Sequence, residues 1–222
     1  MNFKKLLKFF FIIEFLFIFS KYDLAYSKLM SPPLNTLTGL QYLKAYHFHR
    51  AEKVFKKLLQ ENNTSLKDQF YLGMTAYYLH QFQTAEQCFD RVNDASPNLL
   101  LSHIYLARTY YDSNHLKTAF EEFNQANKIN SQNYLIHYYL GLIDYKLLNI
   151  HSAIQEFRKA IKLSFKISAK AHYALAFLFF KKLNWTRRAL REIALSLQSS
   201  PSSSLKHKLM VLRLKILKFN HS

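Results

Sequence analysis

An internal repeat of 34 residues constrains this chain more than any other feature of its sequence. Four alanines follow one another at that spacing, namely Ala51, Ala85, Ala119 and Ala153. A phenylalanine stands four places after each of them, as Phe55, Phe89, Phe123 and Phe157. The three glycines share another phase of the period, with Ala107 in the remaining slot, as Gly39, Gly73 and Gly141. A fixed period of this length predicts a stack of helix pairs.

The residue types in these slots explain how the two helices of a pair would pack. A glycine or alanine on the first helix lets the second helix approach closely, and the alanine of the second helix marks the crossing point. The phenylalanine then fills the gap to the next pair. Since one pair cannot bury its apolar face alone, neighbouring pairs are expected to stack in a line. Only three residues are glycine, which argues against a sheet protein with many tight turns.

The same slots resemble those of the tetratricopeptide repeat (TPR) family, which has Leu-Gly and Tyr on the first helix, Ala and an aromatic residue on the second, and Pro at the close. One copy matches at Leu72, Gly73, Ala85, Phe89 and Pro97. The next two match at Leu106, Ala107, Tyr110, Ala119, Phe123 and Ala126, and then at Leu140, Gly141, Ala153, Phe157 and Ala160. The resemblance extends over roughly residues 34–201. It implies an all-α fold, a right-handed superhelical solenoid of about five TPR helix-turn-helix repeats with a C-terminal capping helix.

The first and fifth copies depart from the family pattern. The first has Thr38 where leucine is expected. The alanine of the fifth, Ala189, comes two residues later than the period requires, and Phe177 stands at the position expected for the small residue. This copy continues with Ile193 and Pro201. The five repeats are predicted at residues 35–61, 67–94, 101–128, 134–162 and 170–198.

Residues 1–27 are predicted to form a signal peptide or an N-terminal membrane anchor. A lysine-rich run precedes the apolar stretch 9–19, which is shorter than the roughly 20 residues of a membrane-spanning helix. Ala25-Tyr26-Ser27 offers small residues for cleavage, whereas Glu14 inside the apolar stretch counts against a cleaved signal. A cleaved signal, an uncleaved anchor and a cytosolic chain with an apolar N-terminal helix therefore all stay open. We expect a chain that is exported (periplasmic or secreted) or anchored to a membrane.

Residues 203–219 are predicted to form a basic C-terminal helix. Its apolar stripe contains Leu205, Leu209, Leu212, Ile216 and Phe219. Such a stripe suits a helix that caps the last apolar face of the array. Further apolar residues widen the arc, which would also suit an anionic membrane surface or a partner. Of the net charge of +17, residues 166–222 carry 12 lysines and arginines against 1 acidic residue, so binding of a polyanion or an anionic membrane is the alternative function.

The sequence contains no motif that indicates an enzyme. It has no glycine-rich phosphate loop, no His-Glu-x-x-His and no Gly-x-Ser-x-Gly. The single cysteine, Cys88, excludes an intramolecular disulfide. His47 and His49 have no third metal ligand near them in sequence. We therefore expect a non-enzymatic chain without a cofactor, a metal or a small-molecule substrate.

The TPR resemblance implies that the first helices line a concave groove whose non-core side chains meet the ligand. We call the following twelve predicted binding residues the groove residues: Phe70, Tyr71, Met74, Tyr77, Tyr78, Tyr105, Arg108, Tyr111, Tyr138, Tyr139, Leu142 and Tyr145. Tyrosine suits peptide binding because it offers a large apolar area and one hydroxyl with few rotatable bonds. Alternatively, several of these rings simply pack against the neighbouring repeat. Arg108 is the only cation among them, which argues against the Lys/Asn/Arg clamp for peptide carboxylates in one TPR subclass.

Together these features predict a TPR scaffold or adaptor that binds a protein or peptide in a tyrosine-rich groove. By analogy with exported TPR proteins, its expected setting is envelope or secretory assembly.

Overall fold

The structure, a computed structural model, describes residues 35–199 and 201–219, and it describes no side chains for residues 165–167. Within those ranges the chain contains eleven α-helices and no strand. The helices are α1 (Thr36–Lys44), α2 (Phe48–Glu61), α3 (Leu66–Tyr78), α4 (Phe82–Ala95), α5 (Leu100–Asp112), α6 (Leu116–Ile129), α7 (Tyr134–Lys146), α8 (Ile150–Leu163), α9 (Phe165–Leu183), α10 (Thr186–Gln198) and α11 (Ser203–Phe219). The predicted fold class is confirmed, since α1 to α10 form five helix pairs and α11 follows them.

The chain divides after Asn63 into two compact units. The described part of the first unit is the pair α1–α2. The second unit contains α3 to α11, in which each helix contacts the next one along the chain. The first helices α3, α5, α7 and α9 also contact one another in succession. The groove residues all lie on three of these first helices.

The slots of the 34-residue period form the buried centre of each pair. All four alanines of the second helices have no exposed surface, and the four phenylalanines are at most 1% exposed. The glycines make room for these rings, because a Cβ added at Gly73 would lie 2.8 Å from Cε1 of Phe89. A Cβ at Gly141 would lie 2.8 Å from the ring of Phe157. The small residue on the first helix is thus required by the phenylalanine of the second helix in the same pair.

The two helices of each pair are joined by a turn with one residue in the left-handed region. These residues are Tyr46, His80, Asn114, Leu148 and Asn184, with φ between 53° and 65°. None of them is glycine, so each side chain adds steric strain that glycine would avoid. In the first four turns, an N–H just after this residue donates to a carbonyl five residues earlier, as from Asn149 to Asp144 over 2.8 Å.

The fifth repeat contains its two extra residues at two separate places. His172 follows His137 by 35 residues, and the Nδ1 of each lies 2.6 Å from a carboxylate oxygen of a glutamate on the next helix. The turn after α9 is closed by a bond from Trp185 to Phe179, which spans six residues instead of five. One extra residue therefore lies before His172 and one at the end of α9. The prediction that Phe177 stands at the small-residue position is wrong, because that position belongs to Ala176, which is fully buried.

A histidine on the first helix is joined to a glutamate on the second helix in three successive repeats. The Nδ1-to-carboxylate distances are 3.1 Å for His103–Glu122, 2.6 Å for His137–Glu156 and 2.6 Å for His172–Glu192. The Nε2 of His137 also lies 2.8 Å from the carbonyl oxygen of Ser131. These contacts fix the two helices of a pair to each other.

Helix α11 covers the apolar face of the last pair. Leu209, Leu212 and Ile216 are buried in one cluster with residues of α9 and α10. Phe219, at the end of the stripe, is half exposed and its ring lies edge-on to Phe180 at 5.7 Å. None of the helices in the described ranges is long and apolar enough to cross a membrane. The predicted signal or anchor at residues 1–27 lies outside the described residues.

Candidate partner-binding site

The groove residues come together as a layer of aromatic side chains on α3, α5 and α7. Tyr77 is buried, and the other eleven are half-buried. Tyr111 and Tyr139 meet edge to face at 5.5 Å, and Tyr77 meets Tyr105 in the same way at 5.9 Å. The alternative left open by the sequence therefore applies to several of these rings, which pack on the neighbouring repeat. The eleven half-buried side chains keep part of their surface exposed to solvent.

Arg108 on α5 lies at the centre of this layer. Its Nη2 donates to the Tyr77 hydroxyl over 3.0 Å, and its Cζ lies 4.8 Å from the centre of that ring. The same atom lies 5.1 Å from the ring of Tyr105 and 5.6 Å from that of Tyr139. The Tyr77 hydroxyl in turn donates to Oδ2 of Asp112 over 2.5 Å. Arg108 thus connects the first helices of three repeats, while its own buried Nε has no hydrogen-bond partner among the residues that the structure describes.

Burial raises the pKa of several tyrosine hydroxyls in this layer above the ordinary value. Burial raises the pKa of Tyr77, and the hydrogen bond to Asp112 raises it further. Burial also raises the pKa of Tyr105, with the Tyr78 hydroxyl adding to the effect. Burial raises the pKa of Tyr111 to about 12. Neutral phenols next to one guanidinium form a surface that is mostly apolar with a few hydrogen-bonding groups.

Two tyrosines of this layer occupy equivalent positions and stack on the phenylalanine of the preceding pair. Tyr105 stacks on Phe89, with ring centres 5.7 Å apart and planes at 24°. Tyr139 stacks on Phe123 at 5.1 Å and 12°. The equivalent residue of the fifth repeat, 35 positions after Tyr139, is Ala174. Because alanine has no ring, the side chain at position 174 does not stack on Phe157.

An open cavity of about 140 Å³ lies at this place. It is bounded by Tyr138, Leu142, Tyr145, Phe157, Tyr173, Ala174 and Phe177. We call it the Phe157 cavity. Three of the predicted groove residues contribute to it, and the other lining residues come from α8 and α9. It lies between the first helices α7 and α9, at the end of the aromatic layer.

A second open cavity of about 230 Å³ lies between α9 and α11. Its apolar lining is Tyr173, Phe177, Val211 and Leu212, and its exposed basic residues are Lys181, His207, Lys208 and Lys215. We call it the lysine cavity. Because Tyr173 and Phe177 line both cavities, the two adjoin. Two more lysines lie over groove rings, with Nζ of Lys146 4.2 Å from the centre of Tyr111 and that of Lys182 5.9 Å from the centre of Tyr145.

Known folds agree with this geometry. No family model and no curated protein matches the sequence. A thermophilic TPR protein from Thermus thermophilus superposes with a TM-score of 0.66 at 20% identity, over 80% of this chain and 96% of that one. PilF of Pseudomonas aeruginosa gives 0.70 at 15% identity over 83% and 82%. MamA of Desulfovibrio magneticus RS-1 gives 0.66 at 17% identity over 75% and 93%. The chain has the TPR fold.

The groove positions of this TPR chain continue into the fifth repeat, where sequence reasoning missed them. Tyr173, Ala174 and Phe177 follow Tyr138, Tyr139 and Leu142 by 35 residues. The sequence prediction placed the whole fifth repeat 36 residues after the fourth, which is one position out of register for these residues of α9. The histidine spacing was the available signal, because His172 also follows its counterpart by 35 residues.

The described part of the TPR array holds no group of three side chains placed to bind a metal ion. Cys88 is buried beside the Gly73 position, and Nδ1 of His49 lies 3.9 Å from a carboxylate oxygen of Glu52. The groove residues and the two cavities offer apolar contact, hydrogen bonding by tyrosine and attraction by lysine.

Proposed function

We propose that this chain is a non-enzymatic TPR scaffold that binds a protein or peptide partner through the groove residues. The observation that carries the proposal is the Phe157 cavity, to which Tyr138, Leu142 and Tyr145 all contribute. An open apolar cavity beside tyrosine hydroxyls suits the anchoring side chain of a peptide, because burial of the anchor supplies affinity and the hydroxyls fix its orientation. The contiguous first helices of a repeat array provide the extended surface on which the rest of the partner lies.

We further propose that the chain works in envelope or secretory assembly, exported or anchored through its N-terminus. The basic run followed by the apolar stretch within residues 1–27 supports this setting. Sequencing of the N-terminus of the chain purified from its own cells tests it. A first residue at Lys28 indicates an exported, cleaved form, and an intact N-terminus in a membrane fraction indicates an anchored form. An intact chain in the cytosolic fraction contradicts the proposal.

Site-specific photo-crosslinking tests the groove. A benzophenone amino acid replaces Tyr145 on α7 in one variant and Phe120 on α6 in the control, since Phe120 is an aromatic residue exposed on a second helix. We expect discrete crosslinked partners from position 145 only. Each partner identified in this way is then purified and its affinity is measured for Tyr145→Ala and for Phe120→Ala. The first substitution should weaken binding roughly tenfold or more, and the second should not change it.

Equal crosslinking of the same partners from both positions contradicts the groove assignment. So does an unchanged affinity of Tyr145→Ala. Tyr77 is a poor choice for this test because its hydroxyl bonds to both Arg108 and Asp112. Its replacement would alter the fold and the surface together.

The alternative function is binding of a polyanion or an anionic membrane through the basic C-terminal region. One observation favours it: α11 exposes Met210, Leu214 and Leu217 beside Arg213 and Lys218. Such a mixture of apolar and basic side chains suits a lipid surface. Similarity to TPR proteins lends it no support. Flotation with anionic vesicles tests it, because binding through these cations should fall steeply as salt is added.

A further inference from the structure

The chain itself shows what fits in the Phe157 cavity. In two preceding repeats the corresponding place is filled by a tyrosine of the next first helix, since Tyr105 stacks on Phe89 and Tyr139 stacks on Phe123. Both stacking distances, 5.7 Å and 5.1 Å, lie in the range of favourable aromatic pairs. An aromatic ring is therefore the natural occupant of this position in the repeat.

The fifth repeat lacks that ring. Ala174 occupies the tyrosine position, and its methyl group leaves the space of about 140 Å³ over Phe157 open. Apart from Leu142, the remaining wall is aromatic, and in it Tyr138 meets Phe157 at 6.0 Å and Tyr173 meets Phe177 at 6.3 Å. The cavity thus has the aromatic lining of a stacked pair without its second member.

We propose that an aromatic side chain of the protein partner fills this cavity and packs on Phe157 as Tyr139 packs on Phe123. This inference rests on the proposed function and specifies the partner that it recognises. The partner completes a ring position that the chain fills for itself in two other repeats. Such an anchor buries a large apolar area in a preformed site, which is where interfaces concentrate their binding energy.

The charges next to the cavity specify the residues that flank the aromatic anchor. The adjoining lysine cavity presents Lys181, Lys208 and Lys215, none of which takes part in an ion pair within the described ranges. The one acidic residue after position 165, Glu192, is bound to His172 at 2.6 Å. These lysines therefore lack an acidic partner in their own part of the chain. The partner segment accordingly carries aspartate or glutamate beside its aromatic residue.

Charge also argues against the chain's own N-terminal segment as the occupant. That segment is rich in phenylalanine, but residues 1–30 carry 5 basic residues against 2 acidic ones. Its net positive charge is the same in sign as that of the lysine cavity. A segment of opposite charge is the better match.

The first test compares the full chain with Ala174→Tyr, which restores the missing ring, and with Ala174→Ser, which keeps the position small. A random-peptide display library is selected against the full chain, and selected peptides are measured by fluorescence anisotropy on all three proteins. We expect aromatic residues flanked by Asp or Glu among the selected peptides. Their affinity should fall roughly tenfold or more on Ala174→Tyr and stay unchanged on Ala174→Ser. Circular dichroism checks that both variants fold.

A second test changes charges on α11 and leaves the residues that line the Phe157 cavity unaltered. Lys208→Glu with Lys215→Glu reverses two charges at the lysine cavity, and Lys206→Glu with Lys218→Glu reverses two exposed charges on the same helix that do not line it. The first pair of substitutions should lower the affinity of the selected peptides roughly tenfold, and the second pair should lower it much less. Equal effects of the two pairs overturn the acidic part of the proposal.

The outcomes separate this inference from the function on which it rests. Peptides that bind Ala174→Tyr unchanged but lose affinity for Tyr145→Ala overturn the aromatic anchor and leave the groove function standing. Failure to select any peptide that responds to Tyr145→Ala contradicts both. Selection of apolar aromatic peptides without enrichment of aspartate or glutamate overturns the acidic part of the proposal and leaves the aromatic anchor standing.

Discussion

Removal of one hydroxyl group tests the network at the centre of the groove. Tyr77→Phe deletes the donor to Asp112 (2.5 Å) and the acceptor for Arg108 (3.0 Å) while the ring stays in place. A hydrogen bond to a charged group contributes about 1.5–3 kcal/mol. In the variant, water can replace the lost hydrogen bond to the exposed Asp112, whereas it replaces the lost hydrogen bond of the half-buried Arg108 only in part. We expect a loss of about 2–3 kcal/mol in the free energy of unfolding.

Urea unfolding followed by circular dichroism measures this loss, and thermal unfolding should show a decrease of about 4–12 °C in Tm. Tyr145→Phe is the matched control, because no hydrogen bond of that hydroxyl occurs within the described ranges and its loss should change stability by less than about 0.5 kcal/mol. Equal stabilities of the two variants would refute the Arg108–Tyr77–Asp112 network as a stabilising element.

The pH dependence of the same comparison has a definite sign. Burial raises the pKa of Tyr77 in the folded protein above its ordinary value of 10.0, so the neutral phenol is favoured by folding. This stability contribution is fully present below pH 10 and is lost as the pH rises towards the folded pKa. Tyr77→Phe cannot ionise. The stability difference between the wild type and Tyr77→Phe should therefore narrow above pH 10.

Three further predictions follow from the described geometry. Leu148→Asn should stabilise the protein by up to about 1 kcal/mol, because an exposed leucine at φ 65° is strained and asparagine tolerates this region; an unchanged or lower urea midpoint contradicts that reasoning. His137→Ala should lower the free energy of unfolding by about 2–4 kcal/mol in the urea assay, since the ring contacts Glu156 and Ser131. The control His49→Ala, at an exposed position, should lower it by less than about 0.5 kcal/mol. Ultraviolet titration should lose a phenol with a pKa of about 12 in Tyr111→Phe, and loss of one titrating near 10 instead refutes its burial.

The repeat could be predicted from sequence because its slots carry strict size requirements. Ala85 and Phe89 recur with the period, and Gly73 is required by a ring whose Cε1 would lie 2.8 Å from an added Cβ. A larger residue at any of these positions would separate the two helices of a pair. Size requirements of this kind leave a pattern that sequence alone reveals, and the same pattern placed the groove residues on the first helices.

The side-chain partners within the groove could not be predicted in the same way. Arg108 appeared as the only cation of the groove, but its contacts with Tyr77 and Tyr139 join residues of three repeats. The histidine–glutamate pairs were visible only as a spacing, and which histidine meets which glutamate depends on how two helices face each other. Contacts between distant residues depend on helix rotation and packing, which the periodicity leaves undetermined.

The sequence by itself determined the helix pairs, their number and the phases of the small and aromatic residues, because these follow from the spacing at which a helix pair must bury its faces. Only the tertiary structure decided the register of the fifth repeat. One inserted residue rotates a helical position by about 100°. Because the residues of α9 follow their counterparts on α7 by 35 positions instead of 36, Phe177 lies at the cavity wall and not in the buried small-residue slot. The same register places Ala174 where the stacking tyrosine of the other repeats stands. The cavity is formed by side chains from α7, α8 and α9 together, and a space between helices has no counterpart in the spacing of a single one.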